Sequence, residues 1–180
     1  MLRAALVTAL AATLLVAACS DDGEDQPGSN TFSAQMTGTY TAVLGGDAEF
    51  GVTLDDAAKA SGFALILGGG TAAARIVLFA YTAPKPRAGT YEIVAPDSPA
   101  GSDTVFSGAL TYDAGSGLET FQIRGGTITL DRANHNRTAG TFDFRAERTS
   151  PADGAQIFIS GTFDAAQIPQ VFPQEQPPAP

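Results

Sequence analysis

Large apolar residues recur at every second position along much of this chain, which is the period of a β-strand with one buried face. Clusters of Gly, Pro, Asp and Asn separate these runs at short intervals, as is typical of antiparallel hairpins. The clearest alternating runs are residues 50–54, 91–93, 121–123, 128–130, 142–144 and 157–159. The pattern predicts an all-β fold of about nine strands, forming a single antiparallel β-sandwich or flattened β-barrel.

Two apolar runs depart from this alternation, and one short segment has helical character. Residues 63–67 and 76–81 are almost continuously apolar, which predicts strands covered on both faces at the centre of the core. Residues 55–61 begin with Asp55, which could cap one or two helical turns. We interpret this segment as a feature of a loop.

Three segments place a glycine two residues before a large apolar side chain. They are residues 107–112, 139–144 and 160–165. Glycine inside a strand often marks a bulge or a tight bend. We therefore predict three similar kinks at strand edges rather than an internal duplication.

The first nineteen residues form a separate unit. Arg3 precedes an uncharged apolar stretch over residues 4–18, which is the layout of an export signal. The stretch is shorter than the roughly 20 residues that a membrane-spanning helix needs. It ends at Cys19, the only cysteine, so an intrachain disulfide is impossible.

Residues 16–19, Val-Ala-Ala-Cys, resemble the lipobox of bacterial lipoproteins. The resemblance implies cleavage between Ala18 and Cys19 and acylation of the Cys19 thiol, with fatty acids such as palmitate as the anchor. Membrane lipid is then the expected partner. The expected location is the bacterial cell envelope, at the outer membrane, at the periplasmic face of the inner membrane, or at the surface of a single-membrane cell.

Composition divides the chain into four parts. We predict a signal peptide over residues 1–18, a disordered acidic tether over 19–35, a β-domain over 36–166 and a Pro-rich tail over 167–180. The tail holds five prolines. A domain of about 130 residues can bury roughly two thirds of its unfolded surface without disulfides, so one domain is sufficient.

The second half of the predicted domain also resembles an uncharacterised β-domain family of small bacterial lipoproteins. The similarity covers residues 125–166 and is carried by the runs G-G-T-I-T-L-D, A-G-T-F-D-F-R-A and I-F-I-S-G-T-F-D. These motifs describe strands and no site. The resemblance therefore implies export and a sheet, and it implies no activity.

Charge and residue types narrow the expected chemistry. Without residues 1–18 the chain carries a net charge of about −10, which argues against nucleic acid as a partner because such binding depends on Lys and Arg.

His135 is the single histidine, whereas a zinc site usually needs two or three His or Cys ligands. Asp97 and Asp103 bracket a loop and Asp21 lies in an acidic run, but neither stretch has the spacing of a calcium loop. We predict no catalytic residue, no metal site and no cofactor.

These features favour a non-enzymatic binding or interaction module of unknown ligand, held at the cell envelope. One alternative is a weak hydrolase with paired carboxylates, motivated only by the number of acidic residues. Another is a purely structural envelope protein. Tyr40, Tyr81, Tyr91 and Tyr112 could line a ligand face, although packing at the edges of the core is the simpler interpretation.

Overall fold

The computed structural model describes residues 29–54, 60–68, 73–80, 86–98 and 104–168, and the structural statements below concern these residues. They form nine strands: β1 (Thr31–Gly38), β2 (Ala42–Leu54), β3 (Ala60–Leu67), β4 (Ala74–Ala80), β5 (Gly89–Val94), β6 (Ser107–Asp113), β7 (Leu118–Ala133), β8 (Arg137–Ser150) and β9 (Gln156–Gln167). Within this part of the chain, no helix has the length and apolar character needed to cross a membrane.

Eight of the strands close into an antiparallel barrel. Around the barrel the order is β7, β6, β4, β3, β2, β1, β9 and β8, and β8 pairs again with β7. Each of these neighbouring pairs is antiparallel. The predicted all-β fold of about nine strands is confirmed, and of the two predicted architectures the structure has the barrel.

The ninth strand, β5, is not one of the eight strands that close the barrel, although its Ile93 belongs to the buried core. The first part of β7 pairs with β6, and its later part pairs with β5 from Gly125 to Leu130. A register shift between Ile123 and Gly125 separates the two parts. β5 therefore occupies the edge of β7 that β6 leaves uncovered. The N–H of Val94 also donates to the carbonyl of Phe106, just before β6, at 2.8 Å.

The barrel interior is filled by apolar side chains. Every strand contributes alternating residues to a single buried cluster, and in β7 the buried phase changes at the register shift between Ile123 and Gly125. The largest fully buried side chains are Phe50, Phe63, Phe106, Phe121, Phe144, Met36, Leu65, Leu67, Ile76, Leu78, Ile93 and Leu110. Ring contacts run through the cluster, with centroids 5.8 Å apart for Phe50 and Phe63 and 6.0 Å apart for Phe63 and Phe106. Eight strands enclose a space just wide enough for side chains of this kind.

The two continuously apolar runs lie in β3 and β4. Leu65 and Ile76 point into the barrel and are buried, whereas Ile66 and Val77 on the other face are only half-buried. The prediction that these strands are covered on both faces is therefore wrong for the outer face. The reason is that both strands belong to the wall of a closed barrel and not to a central layer.

The predicted start of the domain at residue 36 is also wrong. Residues 31–35, which we expected in the tether, belong to β1, where Phe32 and Ala34 are buried and pair with both β2 and β9. Two apolar side chains in five residues are too weak a signal for a strand when read alone. The predicted signal peptide, the first part of the predicted tether, the predicted helical turn and most of the predicted tail lie outside the described part of the chain, in residues 1–28, 55–59 and 169–180.

The repeated Gly-Thr-Phe segments of β8 and β9 pair with each other. Gly140 lies opposite Phe163, Thr141 opposite Thr162, and Phe142 opposite Gly161. A Cβ on Gly140 would lie 1.9 Å from the carbonyl oxygen of Thr129 on β7. Both glycines lie between two neighbouring strands, so the predicted position at strand edges is wrong, and the glycines instead permit close contact between strands.

Replacement of Gly140 by Ala should destabilise the barrel, because the added Cβ meets backbone that cannot move without breaking the β7–β8 pairing. We expect the free energy of unfolding to fall by about 1–3 kcal/mol, the usual cost of overpacking. The measurement is urea unfolding followed by circular dichroism. The matched control is Gly125→Ala, where the nearest atom to the new Cβ is 3.9 Å away. Equal losses in the two variants would contradict the role of close strand contact.

Candidate functional site

The two ends of the barrel carry different polar clusters. We call the end at which β1 begins the Thr31 rim, and the end at which β1 finishes, beside Tyr40, the Tyr40 rim. Because neighbouring strands are antiparallel, β7 begins at the Tyr40 rim and β8 finishes there. Side chains far apart in sequence therefore meet at this rim.

Four residues form what we call the Tyr40 cluster: Tyr40 between β1 and β2, Glu119 in β7, Arg148 in β8, and Asp153 between β8 and β9. The Tyr40 hydroxyl donates to Glu119 Oε1 at 2.7 Å. Arg148 donates to Glu119 Oε2 at 2.7 Å and to the Tyr40 hydroxyl at 3.0 Å. Its Nε and second terminal nitrogen bind the two carboxylate oxygens of Asp153. The cluster thus links four segments of the chain.

The cluster sits at the boundary between the core and solvent. The side chains of Arg148 and Glu119 are each 11% exposed, and that of Asp153 is 46% exposed. The Tyr40 ring packs 5.4 Å from Tyr112 and 6.4 Å from Phe121, centroid to centroid. Tyr40 therefore covers the apolar interior with its ring and joins the ionic group with its hydroxyl.

Hydrogen bonds decide the protonation states in the Tyr40 cluster. Those from Tyr40 and then Arg148 hold the pKa of Glu119 below its usual value, although burial opposes the change. The bond from Arg148, followed by one from the Ala155 N–H, lowers the pKa of Asp153. The bond to Glu119 and then burial raise the pKa of Tyr40. At neutral pH both carboxylates are ionised and the phenol is protonated.

This arrangement is poorly suited to proton transfer. A carboxyl group that acts as a general acid near neutral pH needs a raised pKa, and both acids here have lowered ones. A general base works best with a pKa near the working pH. Glu119 is the buried carboxylate among the described residues, and its Oε2 already accepts a hydrogen bond from Arg148. The cluster is therefore best suited to a structural role, in which its ion pairs and hydrogen bonds hold four chain segments together at the rim.

The Thr31 rim holds a second ion pair, between Arg137 of β8 and Asp164 of β9. Arg137 Nε donates to Asp164 Oδ1 at 2.6 Å, and a terminal nitrogen of Arg137 binds Oδ2. Burial works to raise the pKa of Asp164, but hydrogen bonds from Arg137 and Ser29 hold it below its usual value. Ser29 lies just before β1, so this pair also ties the start of the barrel to its last strand.

Of the residues singled out from the sequence and described by the structure, Tyr40 and Tyr112 are in ring contact, and the others lie apart. His135 is exposed in the turn between β7 and β8, and Asp97 is exposed after β5. Tyr40, Tyr91 and Tyr112 are half-buried against the core. Cys19, Ala18, Asp21, Tyr81 and Asp103 lie outside the described part of the chain. Among the described residues, no three His, Cys, Asp or Glu side chains are grouped as metal ligands.

Sequence reasoning missed Glu119 and Arg148, although the sequence carries a signal for both. Glu119 shares the inward phase of Phe121 in β7, and Arg148 shares the inward phase of Ala146 in β8. Ionised side chains in the buried phase are costly unless they are paired. Two opposite charges in the buried phase of neighbouring strands would have pointed to an ion pair.

The outer face of five adjacent strands is polar and regular. Hydroxyl side chains of successive strands lie in register, and they are Ser33 of β1, Thr162 of β9, Thr141 of β8, Thr129 of β7 and Thr90 of β5. The hydroxyl oxygens of Thr90 and Thr129 are 3.0 Å apart. Cross-strand Thr pairs stabilise sheets, which is a sufficient reason for this row.

Replacement of Arg148 by Met should destabilise the barrel most at neutral pH, because it leaves Glu119 ionised and without its cation at the rim. In the native protein, the lowered pKa of Glu119 gives stability that is present above its unfolded pKa, near 4.5, and is lost as the pH falls through the folded value. The urea concentration at the midpoint of unfolding of the native protein should therefore decrease as the pH is lowered below 4.5. The variant should depend less on pH in that range, or show the opposite slope.

The control for this test is Arg124→Met, since Arg124 pairs with Glu147 at 3.2 Å on the outer face, where both side chains are about a third exposed. Exposed pairs contribute little to stability. The interpretation of the Tyr40 cluster would be contradicted if both variants kept the native pH profile.

Comparisons with known proteins identify no relative for this chain. No protein-family model, curated protein or solved structure matches it.

Proposed function

We propose that this protein is a lipid-anchored lipoprotein of the bacterial cell envelope, and that its barrel is a non-enzymatic binding module that recognises its partner through its outer surface and rims. The observation that carries the second part is the filled interior. The first part rests on the lipobox-like residues before Cys19.

The packing of the barrel supports recognition on the outside. All inward apolar side chains of the core cluster are 5% exposed or less, and aromatic rings from several strands contact one another there. Sites for small molecules are usually concave and largely preformed. A barrel occupied by its own side chains leaves the outer wall and the rims to a partner.

The position of β1 supports a short connection to a membrane. Thr31 begins the strand, so the proposed tether between Cys19 and the barrel is residues 20–30. A segment of that length spans at most about 40 Å when extended and roughly 20 Å as a flexible coil. It joins the barrel at the Thr31 rim, which would place the Tyr40 rim on the side away from the membrane.

The anchor is tested by intact-mass measurement of the protein purified from a bacterial host, together with labelling by an alkyne analogue of palmitate. We expect the native chain to lack residues 1–18, to carry label at its new N-terminus, and to sediment with membranes. Cys19→Ser should keep its leader and take up no label, since acylation of the thiol precedes cleavage in this class. An unmodified thiol on the native protein would overturn the anchor.

The filled interior is tested with an apolar fluorescent dye, such as anilinonaphthalene sulfonate. We expect the native barrel at pH 7 to give no saturable increase in fluorescence, because the core side chains that the structure describes pack against one another and are at most 5% exposed. Phe121→Ala removes a fully buried ring and should create a cavity that binds small apolar molecules. Stoichiometric dye binding by the native protein would show an internal site and would contradict recognition by the outer surface alone.

A further inference from the structure

Strand β2 extends beyond its neighbour β3 at the Tyr40 rim. It pairs with β1 from Ala42, opposite Met36, but with β3 only from Ala48, opposite Leu67. Residues 42–47 therefore have β1 on one side and no described strand on the other. We call this side of residues 42–47 the open edge of β2.

The hydrogen bonds at the end of this segment show which backbone groups face the open edge. The carbonyl of Asp47 accepts a bond from the Gly68 N–H at 2.7 Å, on the side away from β1. The N–H of Ala48 donates to Asn30 at 2.9 Å, on the side of β1. Since alternate residues of an antiparallel strand point to opposite sides, Val43 and Gly45 present their N–H and C=O groups to the open edge. Within the described part of the chain, these four groups have no partner.

The side chains leave this edge unprotected. Val43 is 79% exposed, the highest value among the large apolar residues that the structure describes, and Gly45 and Gly46 are exposed and have no side chain. The register between β1 and β2 is regular from Ala42 to Asp47. Natural sheets usually guard an exposed edge with charged side chains, especially Lys, or with Pro or a bulge. Residues 42–47 have no Lys, Pro or bulge, and their single charged residue is Asp47, at the end next to β3.

We propose that the open edge of β2 binds an extended, basic segment of another protein, which adds to the sheet as a further strand. In this mode, main-chain hydrogen bonds supply affinity and alternate side chains supply specificity. Val43 and Gly45 together offer two donors and two acceptors, and Val43 offers an apolar contact. The inference deepens the proposed binding role and does not depend on acylation of Cys19.

Charge identifies the kind of segment that fits. Asp47 and Glu49 are exposed on the same strand, beside the open edge, and the whole chain has a net charge of −9. A basic segment is attracted by this field, whereas a second copy of the same chain is repelled by it. The edge also lies at the rim opposite Ser29, where the chain enters the barrel, so a proposed membrane anchor does not cover it.

The test uses the full chain in a zwitterionic detergent and a fluorescein-labelled peptide of eight alternating Lys and Val residues. We expect fluorescence anisotropy to show saturable binding, and a peptide with Glu in place of Lys to bind at least tenfold more weakly. Amide hydrogen exchange followed by nuclear magnetic resonance should show that the Lys-Val peptide protects the amides of Val43 and Gly45.

Two variants locate the binding at the edge. Gly45→Pro removes a donor that faces outward and places a ring across the edge, while the closest atom to its Cβ, the Phe32 carbonyl oxygen, is at 3.4 Å. Val43→Lys adds a like charge to the edge. Each should weaken binding at least tenfold with an unchanged circular dichroism spectrum. The matched control is Leu118→Lys, the same charge change at a residue that is 70% exposed on β7, and it should bind as the native protein does.

The proposal is overturned if the Lys-Val peptide does not bind, if the protected amides lie elsewhere, or if both edge variants bind normally. It is also overturned if sedimentation shows a dimer that protects the same amides without peptide, because the occupant is then a second copy. Cys19→Ser provides the separation from the proposed anchor. If its membrane sedimentation equals that of the native protein while the peptide still binds, the anchor fails and the edge stands.

Discussion

Closure of the sheet, through the pairing of β9 with β1 on one side and β8 on the other, is the constraint on which the rest of this structure depends. A closed sheet of eight strands has a small interior, so each inward side chain must fit against those of the opposite wall. The reciprocal pairs of Gly140 with Phe163 and of Gly161 with Phe142 are one consequence. A ring from one strand fills the space beside a glycine of the next, and the strands approach closely where a Cβ would not fit.

Closure also explains why charge appears at the rims and not in the middle of the barrel. Most buried side chains that the structure describes are apolar, with Ser107 and Thr138 as the buried uncharged polar residues, and a charge without a partner is costly in such surroundings. At the Tyr40 rim, Arg148 reaches Glu119 and Asp153 while part of the group remains in contact with water. At the Thr31 rim, Arg137 and Asp164 do the same for the last two strands. Each ion pair joins segments that close the barrel, and neither leaves a carboxyl group in a state that favours proton transfer.

A barrel removes the exposed edges that make open sheets prone to pair with other chains. This one retains an edge where the lengths of β2 and β3 differ, and Val43 and Gly45 lie on it. The interior is occupied, and one row of the outer face across five strands consists of Ser and Thr. Among the described residues, the edge is a place where backbone groups without a partner and an exposed apolar side chain coincide. The same mismatch in strand length that creates the edge places it at the rim away from Ser29.

The sequence by itself determined the local features of this protein. Its period of two predicted the strands and their number, and the position of His135 in a polar run predicted an exposed turn. The lipobox-like residues at Cys19 remain a prediction from the sequence alone.

Alternation records which side chains share a face, but it does not record which strand lies beside another. Tertiary structure therefore decided between sandwich and barrel, assigned Phe32 and Ala34 to a strand that pairs with two neighbours, and brought Glu119 to Arg148. It also left residues 42–47 without a second strand beside them among the described residues, because that depends on where β3 ends and not on any residue of β2.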